Sequence, residues 1–202
     1  RLRTVWQLQK SVSYCLFGSK KHLMNELFEK KSLPFYKFGD AIYLNKIGTE
    51  DWIEYIYERF ESTNKHISRE LAERICNMVD NHSSYVQQLA WLVWVHTDIT
   101  ATEQALETAF QDIIDQNTTL FEKQTESLTS YQVSYLKAIL DGVHHSFTTK
   151  EVLQKYQLGS SANVSVIKSS LLKKELIETD NGKVIIPDPI MKVWLKNKLS
   201  QY

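Results

Sequence analysis

Chain breakers are scarce in this sequence, with six glycines and three prolines among 202 residues. Glycine and proline are the residues that most strongly interrupt helices. A chain so poor in them is set to fold mainly as helices, and the few breakers mark the joints. From Thr49 onward the apolar residues recur at helical spacing. The first such stripe is Trp52, Ile53, Ile56, Tyr57 and Phe60, with Thr49 as its expected N-cap and Glu50 and Asp51 in its first turn, the sign a helix dipole favours. Ser68 caps a second stripe of Leu71, Ala72, Ile75, Cys76 and Val79. A turn at Asp80-Asn81-His82-Ser83 leads to a third, with Tyr85, Val86, Leu89, Ala90 and Val93. Thr100 and Glu103 have the spacing of a capping box ahead of a fourth, with Ala105, Leu106, Ala109, Phe110 and Ile113. Four such helices with short connections make a bundle.

The segments on either side read differently. Leu2–Ser11 is expected as the end of a helix. Val12–Phe17 (VSYCLF) and Ala41–Leu44 (AIYL) have the length and composition of short buried strands. Two strands cannot form a sheet covered on both faces, so residues 1–45 look like the end of an α/β domain that begins elsewhere. An uncovered strand edge at VSYCLF would be a route to self-association. At the other end, Thr129 and Gln132 form a possible capping box before Val133, Leu136, Leu140 and Val143. Thr148 and Glu151 form another before Val152, Leu153 and Tyr156. Leu158-Gly159-Ser160 turns the chain into Ala162–Lys174. Glu175–Glu178 and Lys183–Ile186 then flank Asp180-Asn181-Gly182, a strong signal for a hairpin with a type I′ turn. A last helix, Ile190–Leu199, follows Pro187-Asp188-Pro189. Helix, helix, turn, helix, two-stranded wing is the order of a winged helix. The expected fold class is mainly α: residues 1–45 from an α/β core, 46–127 a four-helix bundle, and 128–202 a winged helix.

Charge is balanced over the whole chain, at 24 basic and 24 acidic side chains, so no global field announces a nucleic-acid or membrane partner. Residues 1–127 carry 14 basic and 18 acidic groups, whereas 128–202 carry 10 and 6, which makes the C-terminal module mildly basic. No apolar stretch reaches the ~18 residues of a membrane span, and no secretory signal is present, so the expectation is a cytoplasmic protein with reduced, buried Cys15 and Cys76. The opening Arg1 suggests a fragment or a processed form. The six histidines form no ligand spacing with Cys or carboxylates, and no metal site is expected. Trp52, Trp91, Trp94 and Trp194 fall within the helical patterns and are expected in packing contacts.

The chain contains no G-x-x-x-x-G-K-[ST] loop to cradle phosphates, and no strand ending in paired acids to hold Mg²⁺. Gly18-Ser19-Lys20-Lys21 lacks the first glycine and the spacing. Even so, VSYCLFGSKKHLMNELF, PFYKFGDAIYLNKI and TEDWIEYI resemble the region after the Walker B strand of archaeal-type AAA ATPases, P-loop NTPases grouped with the STAND proteins and similar to origin-recognition initiators. NHSSYVQQLAWLVW resembles the helical lid segment of that family, and KVIIPDPIMKVWLKN its C-terminal winged helix. The resemblance implies a C-terminal portion of such an ATPase, with ATP and Mg²⁺ bound by an upstream segment and none expected here.

By the same resemblance, Ser19 matches the sensor-1 position, which touches the γ-phosphate or the attacking water; the other reading is a serine that turns the chain. His82 and Tyr85 match the start of the lid helix near the nucleotide base. Asn81-His82-Ser83-Ser84 departs from the family's glycine-proline element there, and Ser83 or Ser84 as a helix cap is the alternative. Lys37 lies where relatives place an arginine acting in trans, although lysine lacks the bidentate fork. On the third helix of the winged helix, Ser161, Asn163, Ser165 and Lys168, with Lys183 in the wing, are candidates for contact with DNA phosphates and bases. Arginine, the commonest reader of guanine, is absent from 128–202, and docking of a protein partner is the other reading. Two functions follow: the regulatory and partner-binding portion of an ATPase, or a stand-alone winged-helix DNA-binding transcriptional regulator.

Overall fold

A computed structural model describes residues 2–18 and 21–200, and these divide into two compact units, 1–45 and 46–202. The first holds two short helices, α1 (Leu2–Leu8) and α2 (Lys21–Glu29). Its described side chains gather around aromatic rings: Trp6 stacks on Tyr14 at 4.6 Å and meets Phe35 at 5.3 Å. Arg3 donates to the Pro34 carbonyl and lies 5.6 Å from the Phe38 ring centre. None of these side chains is fully buried. Roughly 40 residues are too few to close a core of their own.

The strands expected at Val12–Phe17 and Ala41–Leu44 are not formed; both segments are coil. A strand's amides and carbonyls need a neighbouring strand, and the sheet among the described residues is a distant hairpin. With no sheet to enter, the apolar side chains stay outside: Phe17 is 92% exposed and Leu44 91%. Self-association through a VSYCLF strand edge therefore has no strand to run on. Cys15 is exposed for the same reason, whereas Cys76 is buried. α1 also stops at Leu8, short of Ser11.

The second unit contains α3 (Thr49–Glu61), α4 (Arg69–Met78), α5 (Ser83–Val95), α6 (Glu103–Thr125), α7 (Ser130–Leu140), α8 (Lys150–Lys155), α9 (Ser161–Lys173), β1 (Glu178–Asp180), β2 (Lys183–Ile185) and α10 (Pro189–Leu199). Three caps differ from expectation. α3 is capped by Gly48 without a side-chain bond, and Thr49 Oγ1 instead accepts from Asn81. α6 is capped by Thr102, two residues beyond the Thr100 box, whose hydroxyl takes the Ala105 amide. Thr149 rather than Thr148 caps α8. The Ser68 cap of α4 and the reciprocal Thr129–Gln132 box of α7 both form.

Buried stripes meet in one core that runs from Trp52 in α3 to Leu195 in α10. α4 packs on α3, and α5 on α6. Two loops are stitched together where His66 pairs with Ile99 and Ala101 through backbone bonds of 2.7 and 2.8 Å. Lys65 fastens the same place, donating to the Trp94 and Thr97 carbonyls while lying over the Trp94 ring. At 23 residues α6 is ~34 Å long. That length lets it serve two partners: Gln116 bonds to Gln88 of α5, and Phe121 packs 5.6 Å from Trp194 of α10.

Downstream, α7, α8 and α9 are followed by an antiparallel hairpin in which Asp180 pairs with Lys183. Asn181 and Gly182 have φ of +47° and +79°, as a type I′ turn requires. β1 begins three residues later than Glu175, because Glu175 adopts φ +59° and the Leu176 amide returns to the Leu171 carbonyl, completing the end of α9. The Val184 amide bonds to the His144 carbonyl, and His144 Nδ1 to the Val184 carbonyl, which seats the hairpin against the loop after α7.

Candidate functional site

α9 and the hairpin are the surfaces a winged helix offers to a partner. Val164, Ile167 and Leu171 are buried and fix which side of α9 faces inward. Helical spacing then turns Ala162, Ser165, Val166, Ser169 and Lys173 outward, all exposed. Lys173 is the one charge on this stripe, and Val166, 67% exposed, sits in its middle. Ser161, Ser165 and Lys168 share one strip at i, i+4 and i+7, with Lys168 half-buried. Asn163 lies on the other side, and its side chain is occupied by a 2.8 Å bond to the Leu158 carbonyl. Lys183 stands in the hairpin, where Glu178 and Asp180 are also exposed. Two acids and one base are thus exposed on the wing, with Lys173 and Lys174 exposed at the end of α9 before it.

The start of α5 gathers three polar groups. His82 occupies the cap position, half-buried, with its ring 5.0 Å from Tyr85 and its buried Nδ1 lacking a partner. Asn81 reaches back to Thr49 through Nδ2, while its buried Oδ1 is also unpartnered. The expected alternative, a cap by Ser83 or Ser84, is not made; both are helical residues. Tyr85 donates a 2.9 Å hydrogen bond to Asp188 Oδ2. Asp188 spends its other oxygen on the Ile190 and Met191 amides as the cap of α10. Burial, and then the Asp188 charge, raise the Tyr85 phenol well above its ordinary value.

Ser19 lies outside the described residues. Lys37 is exposed, at φ +50°, with its ammonium 5.7 Å from the Tyr36 ring centre. Sequence reasoning missed Tyr85–Asp188, a bond between residues 103 apart, and it missed Trp91, expected in packing but 59% exposed. A signal for the second was present. No Asp, Glu, Lys or Arg occurs from Asn81 to Thr97, so α5 has no charged face to give to solvent.

These features define a mainly helical protein with a winged helix built onto a helical bundle. Residues 119–197 match the family described as a probable winged helix domain. The match starts within α6, whose last turns carry Phe121 against α10. Among solved structures, the chain is similar to a Walker-type ATPase of Pyrococcus abyssi, with a TM-score of 0.63 and 16% identity over 89% of this chain. At that identity the likeness is one of fold. The chain spans about half the length of that ATPase, 51%. No curated protein matches the chain. Among the described residues, no helix is long and apolar enough to cross a membrane.

Proposed function

We propose that this chain is the C-terminal lid and winged-helix portion of an AAA-type ATP-binding protein, coupling nucleotide state to the binding of a partner. The observation that carries this reading is the likeness in fold to half of a Walker-type ATPase over 89% of the chain. Two further features support it. Residues 1–45 bury no described side chain, as expected for the trailing edge of a larger domain. The bundle and the winged helix share one core and the Tyr85–Asp188 bond, so they would move as one body. In this reading an upstream segment holds ATP and Mg²⁺, Ser19 and His82 report on the nucleotide, and Lys37 faces a neighbouring copy. The chain by itself, lacking the P-loop, is not catalytic.

The winged helix docks a protein rather than DNA. The outward stripe of α9 is nearly neutral with an apolar centre, and the wing is slightly acidic. The net positive charge of 128–202 favours the DNA-binding regulator instead, and a gel shift decides between them. Little retention of duplex DNA is expected at ~0.15 M salt; an affinity that falls steeply with salt would restore the regulator.

The ATPase reading is tested by calorimetry with MgATP. The 202-residue chain is expected to give no binding. The same reading frame extended upstream by one domain, ~150 residues, is expected to bind saturably, and to lose binding when its P-loop lysine is replaced. An upstream frame without a P-loop, or ATP hydrolysis by this chain alone, would overturn it.

A further inference from the structure

Asn181 is the only asparagine of the chain followed by glycine. An asparagine side chain carries an electrophilic carbon, Cγ, and the backbone nitrogen of the next residue can attack it to close a five-membered ring. A side chain on that next residue hinders the approach, and glycine has none. Asn181 and Gly182 are both exposed at the tip of the wing, so water reaches them. Nothing lies within 4 Å of a notional Cβ on Gly182, which leaves the ring room to form. The carboxamide is held lightly, by a 3.3 Å bond from Asn181 Nδ2 to Asp180 Oδ1.

The attacking nitrogen is also unengaged. Among the described residues the Gly182 amide donates to no backbone carbonyl, because the turn closes through Asp180 and Lys183 on either side of it. The chain has one comparable pair, Asp141-Gly142, and there the opposite holds. The Gly142 amide donates to the Ile139 carbonyl at 3.0 Å, and Asp141 accepts from the Tyr156 hydroxyl at 3.0 Å. The folded wing turn supplies a brake of its own. It holds Asn181 in the left-handed region at φ +47°, and ring closure requires the residue to rotate out. That rotation needs only the tip to open. β1 is exposed at all three positions, and so is Lys183 opposite Asp180. Short exposed strands at a loop tip are among the first parts of a fold to open. Val184, buried and bonded to His144, can keep its place meanwhile.

We propose that Asn181 is a self-modification site, at which the wing gains a negative charge as the protein ages. The Gly182 nitrogen bonds to Asn181 Cγ and passes its proton to the departing amide nitrogen. The Cγ–Nδ2 bond breaks, and ammonia leaves. Water then opens the succinimide ring at either carbonyl. One product is aspartate. In the other, isoaspartate, the backbone runs through the side chain and is one carbon longer. Water is the only co-reactant. Glu178, Asp180 and Lys183 are exposed on the wing, so either product changes its two acids and one base to three acids and one base. A two-residue turn has no room for an extra backbone carbon, so isoaspartate also unseats the β1–β2 pairing. A partner that touches the wing therefore meets a different surface on an aged chain. The site does not depend on whether the parent protein uses ATP.

The full chain is kept in neutral buffer made with heavy-oxygen water, and samples taken over time are digested and read by mass spectrometry. Conversion during digestion in ordinary water carries no label and is set apart. Asn181 is expected to become a carboxylate with one heavy oxygen, in two isomeric peptides, at least about tenfold faster than any other asparagine. Gly182→Ala is expected to slow this at least about tenfold, because its side chain hinders the nitrogen. A synthetic peptide of residues 176–186, with and without the same substitution, reads the chemistry apart from any change in turn opening. In the converted chain the hairpin amides are expected to exchange hydrogen faster. Conversion of Asn181 no faster than that of the other asparagines while the peptide reacts would overturn the proposal. So would equal rates for the peptide and its Gly182→Ala form. Unchanged hydrogen exchange in the converted chain would overturn the effect on the wing.

Discussion

Two tyrosines show how the same hydroxyl acts in opposite directions according to its partner. Tyr85 donates to the Asp188 carboxylate, whereas the Tyr135 hydroxyl is buried without a partner, its ring stacked on Phe147 at 4.3 Å. Tyr85→Phe is expected to lower stability by about 1.5 kcal/mol, since it removes a bond to a charged group. Tyr135→Phe relieves an unpaired polar atom and is expected to be neutral or to stabilise by up to ~1 kcal/mol. Urea unfolding of both variants checks the contrast. Burial also raises the Tyr135 phenol to about 12 and the Cys76 thiol to about 11. Each group has a folded pKa above its unfolded value, so its contribution is complete below the unfolded pKa and is lost as pH rises. The urea midpoint is therefore expected to fall from about pH 8.5, as Cys76 begins to ionise in the unfolded chain, and more steeply beyond about pH 10 as the tyrosines follow. Tyr85→Phe should flatten the second part; a midpoint constant from pH 8 to 11 would contradict these assignments.

Among the elements, the hairpin was the most legible from residues, because Asn-Gly meets a backbone demand that few other pairs can meet. Gly182 at φ +79° has open space around a notional Cβ. Gly182→Ala is thus expected to cost about 1 kcal/mol through backbone strain alone, with the core untouched. Equilibrium unfolding measures it, and an increase in stability would show that the turn has another form. Helix starts were less legible. T-x-x-E at Thr100 and Thr148 has the right spacing, but the helices begin at caps one or two residues later. Capping boxes are local patterns, and where several threonines compete, the register of the apolar stripe against its neighbours selects one. The Thr129–Gln132 box does form. The strands expected at Val12–Phe17 and Ala41–Leu44 failed for a related reason: β structure needs a partner strand, which composition does not supply.

For the molecule, the shared core of residues 46–202 makes bundle and winged helix one folding unit. Phe121 and Trp194 join them where α6 meets α10, and the Tyr85–Asp188 bond is a second link. Urea unfolding of this unit is expected to be a single transition, coincident by circular dichroism and tryptophan fluorescence. Trp194→Ala, which empties part of that junction, is expected to cost about 3 kcal/mol and to keep one transition at a lower midpoint. Two separated transitions in the unsubstituted protein would mean that the halves fold independently and that nothing rigid joins the helical bundle to the winged helix.

The sequence by itself determined the mainly helical class, the winged-helix order and the hairpin turn. Each follows from spacing and from residues such as Asn181-Gly182 whose conformational preference is local. It also showed that no P-loop lies in this chain. Only the tertiary structure decided which faces stay uncovered. The outward stripe of α9, the uncovered side of α5 with Trp91, and the exposed Arg59 on the Tyr55 ring emerge from which helices pack on which. The Tyr85–Asp188 bond is likewise a product of packing. These are long-range facts, because burial depends on neighbours brought from far along the chain. The candidate sites depend on them, which is why the fold was legible in the residues and the surfaces were not.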